Sequence, residues 1–181
     1  MEKVKKYRWD AIKERMPAGE IVGVEVGVWR GQMSARMLKE MPGLFLYLVD
    51  RWSPPPLGDT YFQGSIKIAR SPMSVFTSAY NETRRRVKPY RGRYKILRGL
   101  SVEMAEKVPD KLCDFIFIDG DHSYEGCKAD IEAWRSKIKP GGWLCGHDYD
   151  HPDQGEVKRA VDEAFGDEIE LSYNRTWFIQ L

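Results

Sequence analysis

Residues 114–134 read DFIFIDGDHSYEGCKADIEAW. Phe115, Ile116, Phe117 and Ile118 form an unbroken apolar run, the pattern of a strand buried on both faces. Three polar, ionisable residues then arrive together, Asp119, Asp121 and His122. From Tyr124 the period changes. Cys127, Ile131, Trp134 and Ile138 recur at i, i+4, i+7 and i+11, so a helix is expected over residues 124–139. A continuous apolar strand running into a helix is the repeating unit of a parallel sheet covered on both faces. Acids and imidazoles at the end of such a strand sit where open sheets of this kind take ligands.

Working outward, the same alternation recurs. IVGVEVGV (21–28), LFLYLVD (44–50), YKILRGL (94–100) and LCDFIFID (112–119) read as strands. Helices are expected at GQMSARMLKEM (31–41), where Met33, Met37 and Met41 share a core face, and at SPMSVFTSAYNETRRRV (71–87). SVEMAEKV (101–108) opens on a Ser cap with a nearby Glu. KPGG (139–142) is expected to stop the long helix and turn the chain into WLCGHD (143–148). GEVKRAVDEAFG (155–166) is a last helix, and EIELSYN and TWFIQL close the chain as a hairpin around Asn174 and Arg175. An N-terminal amphipathic helix carries Trp9, Ile12 and Met16.

At 181 residues, with 42% hydrophobic and 12% aromatic residues, the chain suits one globular domain spanning 1–181. A net charge of +2 implies neither nucleic acid nor a membrane surface, and no apolar run approaches the roughly 20 residues that span a bilayer. The basic run 84–95 is interleaved only by Tyr90 and Tyr94, so it reads as a solvated helix end, with no nucleic-acid partner expected. Cys113, Cys127 and Cys145 form no CxxC pair and read as reduced, buried thiols of a cytoplasmic protein. Residues 53–72 lack periodicity, and an irregular loop of that length reads either as an active-site lid or as a surface insertion.

In VEVGVWRGQM (24–33), Glu25, Gly27 and Gly31 follow E-x-G-x-x-x-G after the first strand. Gly27 permits a sharp turn and close approach to a ligand, and Gly31 lets the next helix start near the strand. The spacing is not G-x-G-x-x-G, which disfavours a pyrophosphate cradle and a nicotinamide dehydrogenase. Asp50 ends the second strand, where a carboxylate can accept both vicinal hydroxyls of a ribose. A second ionisable cluster, GHDYDH (146–151), contains His147, Asp148, Asp150 and His151. The three histidines of the chain all lie in these two clusters.

On VEVGVWRG, LVDRW and above all DFIFIDGDHSYEGCKADIEAWRSKIKPGGWLCGHDY, the chain resembles the class I S-adenosylmethionine-dependent methyltransferases. The last stretch is similar to the small-molecule branch known as methyltransferase family 24, related to catechol and macrolide sugar O-methyltransferases. The resemblance implies an α/β Rossmann-like fold with a seven-stranded, mostly parallel sheet of order 3-2-1-4-5-7-6 and helices on both faces. It implies methyl transfer from S-adenosyl-L-methionine to a hydroxyl of a small-molecule acceptor, a sugar or polyhydroxylated metabolite. Glu25, Gly27, Gly31, Asp50 and Asp119 would hold that cofactor, with Leu100 and Ser101 near its adenine. Asp119, His147 and Asp148 match the positions that ligate a divalent metal, Mg²⁺, Mn²⁺ or another. His147 stands where the relatives usually have a carboxylate, which shifts the preference away from Mg²⁺. His122 matches a proposed catalytic base, and an imidazole pKa near ~6.5 suits that task. Asp119 would be catalytic through the same site, and Asp150 and His151 peripheral.

Without metal, Asp119 would serve the cofactor's neighbourhood alone and His147 would be structural, with Asp121 as N-cap of the helix at Tyr124. Two alternatives in other classes stay open, a cephalosporin hydroxylase-like metal enzyme on the same fold and a non-catalytic cofactor-binding module. The acceptor's identity and the oligomeric state, a homodimer among the options, are not legible.

Overall fold

The computed structural model describes residues 6–55, 68, 70–152 and 155–181. The expected lid at 53–72 therefore lies largely outside the described residues. Helix α1 (Arg8–Arg15) leads into β1 (Ile21–Val26), α2 (Gln32–Glu40) and β2 (Leu44–Asp50). Then come α3 (Met73–Val87), β3 (Tyr94–Arg98), the short α4 (Ser101–Ala105) and β4 (Cys113–Ile118). Helix α5 (Tyr124–Arg135), β5 (Ile138–Gly146), α6 (Gly155–Phe165), β6 (Glu170–Ser172) and β7 (Thr176–Gln180) complete the order.

The seven strands form one sheet in the order β3-β2-β1-β4-β5-β7-β6. The first five pair in parallel, and β7 runs antiparallel to both β5 and β6. The apolar run in β4 explains the layering. Ile116 and Ile118 pack with Ile131, Trp134 and Val161 on one face, while Phe115 and Phe117 pack with Met33, Met37 and Ile12 on the other. Alternate side chains thus feed two cores, and a strand buried on both sides needs apolar residues throughout. Full burial of each such side chain stabilises by roughly 1.5–3 kcal/mol relative to exposure.

Several local expectations change. The KPGG segment is no turn between helix and strand: β5 begins at Ile138 and carries these residues within it. Cys113 pairs with Ile138 but Phe115 pairs with Trp143, so the extra residues bulge out of register. A bulge absorbs Pro140, which has no N–H for the ladder. Ser101 does not cap α4; the cap position is Leu100, and the Ser101 hydroxyl accepts from Trp134 Nε1 at 2.8 Å. Ser123, not Asp121, caps α5, accepting from the Gly126 amide at 3.1 Å. Asp121 braces that cap by accepting from the Ser123 amide at 2.9 Å. The closing turn takes left-handed backbone at both Asn174 and Arg175.

Part of the basic run is engaged internally. Arg93 donates to the carbonyls of Leu38, Met41 and Pro42, and Arg86 to that of Arg30. The methionine stripe Met33, Met37 and Met41 is core. Among the described residues no helix is long and apolar enough to cross a membrane.

Gly27 and Gly31 both adopt positive φ, and each has a close protein neighbour that leaves no room for a Cβ. A Cβ on Gly27 would stand 2.0 Å from the Asp119 carbonyl oxygen, and one on Gly31 2.9 Å from Thr83 Cγ2 of α3. Gly27 therefore lets the ends of β1 and β4 close together. Gly141 shares the positive φ, at 80°, but faces open space. In urea denaturation Gly141→Ala should lose about 1 kcal/mol, the conformational penalty alone. Gly27→Ala should lose about 1–3 kcal/mol more through overpacking, and equal losses would contradict this contact.

Candidate active site

The carboxyl ends of β1, β2, β3 and β4 open onto a cavity of about 370 Å³. Its walls bring together every residue expected to hold a cofactor except Gly31: Glu25, Gly27, Asp50, Leu100, Ser101 and Asp119. Gly31 lies against α3 instead, at the left-handed start of α2. His122 also lines the cavity, while His147 and Asp148 adjoin it through their contacts with Asp119 and His122.

At the β2 end, Asp50 is braced on both oxygens. Oδ2 accepts from the Trp29 amide at 2.8 Å and Oδ1 from the Trp52 amide at 2.7 Å. Burial pushes its pKa above the usual carboxylate range, and the two amides only partly offset this. Each oxygen retains a lone pair for a further donor. Trp29 and Trp52 both hold positive φ, a strained setting for bulky residues. The strain is held by hydrogen bonds: the Trp29 carbonyl accepts from Trp52 Nε1 at 2.7 Å and from Thr83 Oγ1 at 2.9 Å.

Glu25 is 2% exposed, and its carboxyl accepts from the Ser34 hydroxyl on α2. Desolvation pushes its pKa up to about 8, against the pull of that bond and of Arg8.

At the β4 and β5 end, Asp119, His122, His147 and Asp148 converge. His122 Nε2 lies 3.6 Å from Asp119 Oδ1 and 3.5 Å from Asp148 Oδ2, charge contacts too long for hydrogen bonds. Both ring nitrogens of His122 are buried without a hydrogen-bond partner. His147 Nδ1 is 2.9 Å from Asp148 Oδ1 and 3.5 Å from Asp119 Oδ1. Burial opposes the charge on Asp119, yet the two imidazoles and Arg8 outweigh it and hold the carboxyl below its ordinary range. Burial likewise opposes charge on His147, but the two carboxylates raise its pKa to about 9. Asp148 adopts left-handed backbone, φ 58°, which Asp tolerates better than most residues.

One atom each from Asp119, His122 and Asp148 lies within 4.8 Å of the others, close enough to share a cation. His122 completes this set, and His147 Nδ1 lies as near the same two carboxylates. The orphaned His122 nitrogen between two carboxylates fits a divalent ion. Asp150 is peripheral, 3.6 Å from Arg175 on the surface.

Two residues were missed in the sequence. Arg8 of α1 donates to Asp119 Oδ2 at 2.7 Å, across a separation no local pattern reveals. Asp130 of α5 is 4% exposed and lines the cavity. Its signal was available, an acid three residues from Cys127 and four from Trp134 on an apolar helix face.

The pattern of methyltransferase family 24, described as a methyltransferase domain, matches residues 24–149. No curated protein sequence matches. Among solved structures, the O-methyltransferase NovP aligns over 94% of this chain and 74% of its own, at 23% identity and TM-score 0.67. CalS11, a calicheamicin methyltransferase, aligns over 95% and 76%, at 18% identity and TM-score 0.68. A precorrin-6y C5,15-methyltransferase from Geobacter metallireducens aligns over 99% and 90%, at 14% identity and TM-score 0.63. These likenesses establish the shared Rossmann-like fold. The family match runs from within β1 to just past β5 and takes in the glycine loop, Asp119, His122, His147 and Asp148, and the chain belongs to this methyltransferase family.

The buried Glu25 carboxyl keeps a proton in the folded chain that the unfolded chain releases above pH about 4.5. Stability is therefore lost as pH rises from there through about 8. Glu25→Gln cannot ionise, so its stability relative to the parent should increase by on the order of 1 kcal/mol per pH unit between pH 5 and 8. A pH-independent difference in chemical denaturation would contradict a protonated Glu25.

Proposed function

We propose that this chain transfers a methyl group from S-adenosylmethionine to a hydroxyl of a small, polyhydroxylated molecule such as a sugar, with a divalent cation held by Asp119, His122 and Asp148. One observation carries this reading: a single cavity joins the amide-braced Asp50 to the cluster around Asp119. Asp50 accepts the two ribose hydroxyls of the donor. Glu25 and the Gly27 turn border the space for its methionyl part. The acceptor hydroxyl stands at the Asp119 end, where the methyl–sulfur bond breaks as the oxygen–methyl bond forms.

Transfer needs the hydroxyl aligned with the methyl and relieved of its proton. A bound divalent cation lowers a hydroxyl's pKa and fixes its orientation. The chain's own part is to hold donor and acceptor together. Asp119 and Asp148 supply negative charge at the acceptor, and His147 orients the Asp148 carboxylate from 2.9 Å. One imidazole with two carboxylates suits Mn²⁺, Fe²⁺ or Zn²⁺ as well as Mg²⁺. The description of NovP as an O-methyltransferase agrees with a hydroxyl acceptor. Free, buried Cys113, Cys127 and Cys145 agree with a reducing, cytoplasmic setting.

One contact favours a second, metal-free reading. Arg8 already partners Asp119 Oδ2, and His122 would then take the hydroxyl proton directly.

Calorimetry with S-adenosylhomocysteine should show Asp50→Ala weakening binding by about 2 kcal/mol, and unchanged affinity would remove Asp50 from the site. Transfer of tritiated methyl groups to polyhydroxylated acceptors should stop in EDTA and return with Mn²⁺. Asp148→Asn should lose Mn²⁺ binding while keeping the affinity for S-adenosylhomocysteine. Full transfer in EDTA would reject the cation and leave proton removal to His122.

A further inference from the structure

Arg8 enters the cavity from α1, ahead of the first strand, while the other walls come from the strand ends and the connections that follow them. Helix α1 is held firmly. Ala11 and Ile12 are fully buried, and Arg15 lies over the Phe178 ring at 3.9 Å. The Asn174 amide of the closing turn donates to the Lys6 carbonyl at 2.9 Å. The backbone on both sides of Arg8 is therefore anchored, and its side chain is delivered to a fixed place.

Arg8 Nη1 donates to Asp119 Oδ2 at 2.7 Å. Asp119 Oδ1 instead faces the two imidazoles, 3.6 Å from His122 Nε2 and 3.5 Å from His147 Nδ1. Arg8 thus takes the oxygen that the ionisable cluster leaves. Among the described residues this is the only hydrogen bond of the Arg8 side chain, which stays 31% exposed in the cavity wall. A guanidinium carries further N–H donors in a planar fork. A one-bond pair with a carboxylate needs only a point charge, which a lysine supplies. The fork of an arginine matches two oxygens of a carboxylate or phosphate, and here it is not spent on Asp119. Charge points the same way. Under the proposed function a divalent cation matches the charges of Asp119 and Asp148, and the charge of Arg8 is left over. An anionic group on the incoming molecule would balance it.

We propose that Arg8 selects an acceptor that carries an oxyanion, a carboxylate or a phosphate ester, besides the hydroxyl to be methylated. This rests on the proposed function, with the donor at the Asp50 end and the acceptor hydroxyl near Asp119. The oxyanion takes the free edge of the guanidinium, and the bond to Asp119 holds the guanidinium plane in place. Arg8 binds the acceptor and takes no part in removing its proton.

The test uses the full chain with Mn²⁺ and glucose, galactose and mannose, each as the neutral sugar, the uronate and the 6-phosphate. Transfer of tritiated methyl groups from S-adenosylmethionine gives kcat/KM, and equilibrium dialysis with S-adenosylhomocysteine gives binding of the same sugars. An acidic member should exceed its neutral parent by about 10- to 100-fold in both readouts. The uronates and phosphates then show which oxyanion is read. Arg8→Gln should bring the acid-to-neutral ratio close to one. Arg8→Lys, which keeps the charge without the fork, should give an intermediate ratio. A role confined to bracing Asp119 would weaken neutral and acidic sugars alike in the variants, and an unchanged ratio would overturn the assignment. Methyl transfer by the parent without preference for an acid would also overturn it, while leaving the methyl-transfer reading in place. Transfer to none of these sugars would contradict the acceptor reading itself, and the assignment would fall with it.

Discussion

The site depends on how closely β1 and β4 approach where they end. The two strands pair in parallel up to Val26 and Ile118, and the Gly27 backbone then lies against the Asp119 carbonyl. On one side of this pair the sheet continues to β2 and β3, on the other to β5 and β7. The chain leaves β1 and β4 in opposite directions, so a crevice opens between their connections. Asp50 reaches it from β2, while His147 and Asp148 follow β5. A side chain at position 27 would part the strand ends and with them the two halves of the cavity.

Charge gives the cavity its second character. Five acids, Glu25, Asp50, Asp119, Asp130 and Asp148, are brought to one region of limited solvent access. Their environments divide them. Asp119 and Asp148 lie among Arg8, His122 and His147 and are held ionised. At Glu25 burial outweighs the pull of Ser34 and Arg8, at Asp130 it outweighs that of Ser101, and both are pushed toward the neutral form. Buried acids kept apart in this way mark a site built for ligands rather than for stability. In the proposed reading, a sulfonium donor with its ammonium group, together with a divalent cation, would bring positive charge to this region.

The strands and their order were largely legible, because continuous apolar runs such as Phe115 to Ile118 mark burial on both faces and the resemblance supplied the order. Asp50, Glu25 and Asp119 were legible as neighbours of the strand-end cavity because each lies at or beside the carboxyl end of a recognisable strand. What failed was local geometry that depends on tertiary contact. KPGG looked like a helix stop because Pro140 cannot join a regular ladder, yet the sheet accepts it in a bulge. Ser101 looked like a cap but turns to Trp134, and the contact of Gly27 with the Asp119 carbonyl at the strand ends was not legible beside its place in the cavity wall. Arg8 was illegible, since only folding brings α1 to β4. Whether His122 or His147 is the third member of a cation set was also beyond spacing, because both follow strand ends and both rings lie within 3.6 Å of the Asp119 and Asp148 carboxylates.

The central claim is that donor and acceptor chemistry occupy opposite ends of one cavity. A crystal structure with S-adenosylhomocysteine and Mn²⁺, with data collected at the manganese edge, measures both at once. The ribose should contact Asp50, and a single anomalous peak should lie between Asp119, His122 and Asp148. A nucleoside bound away from Asp50, or manganese bound away from that cluster, would contradict the claim.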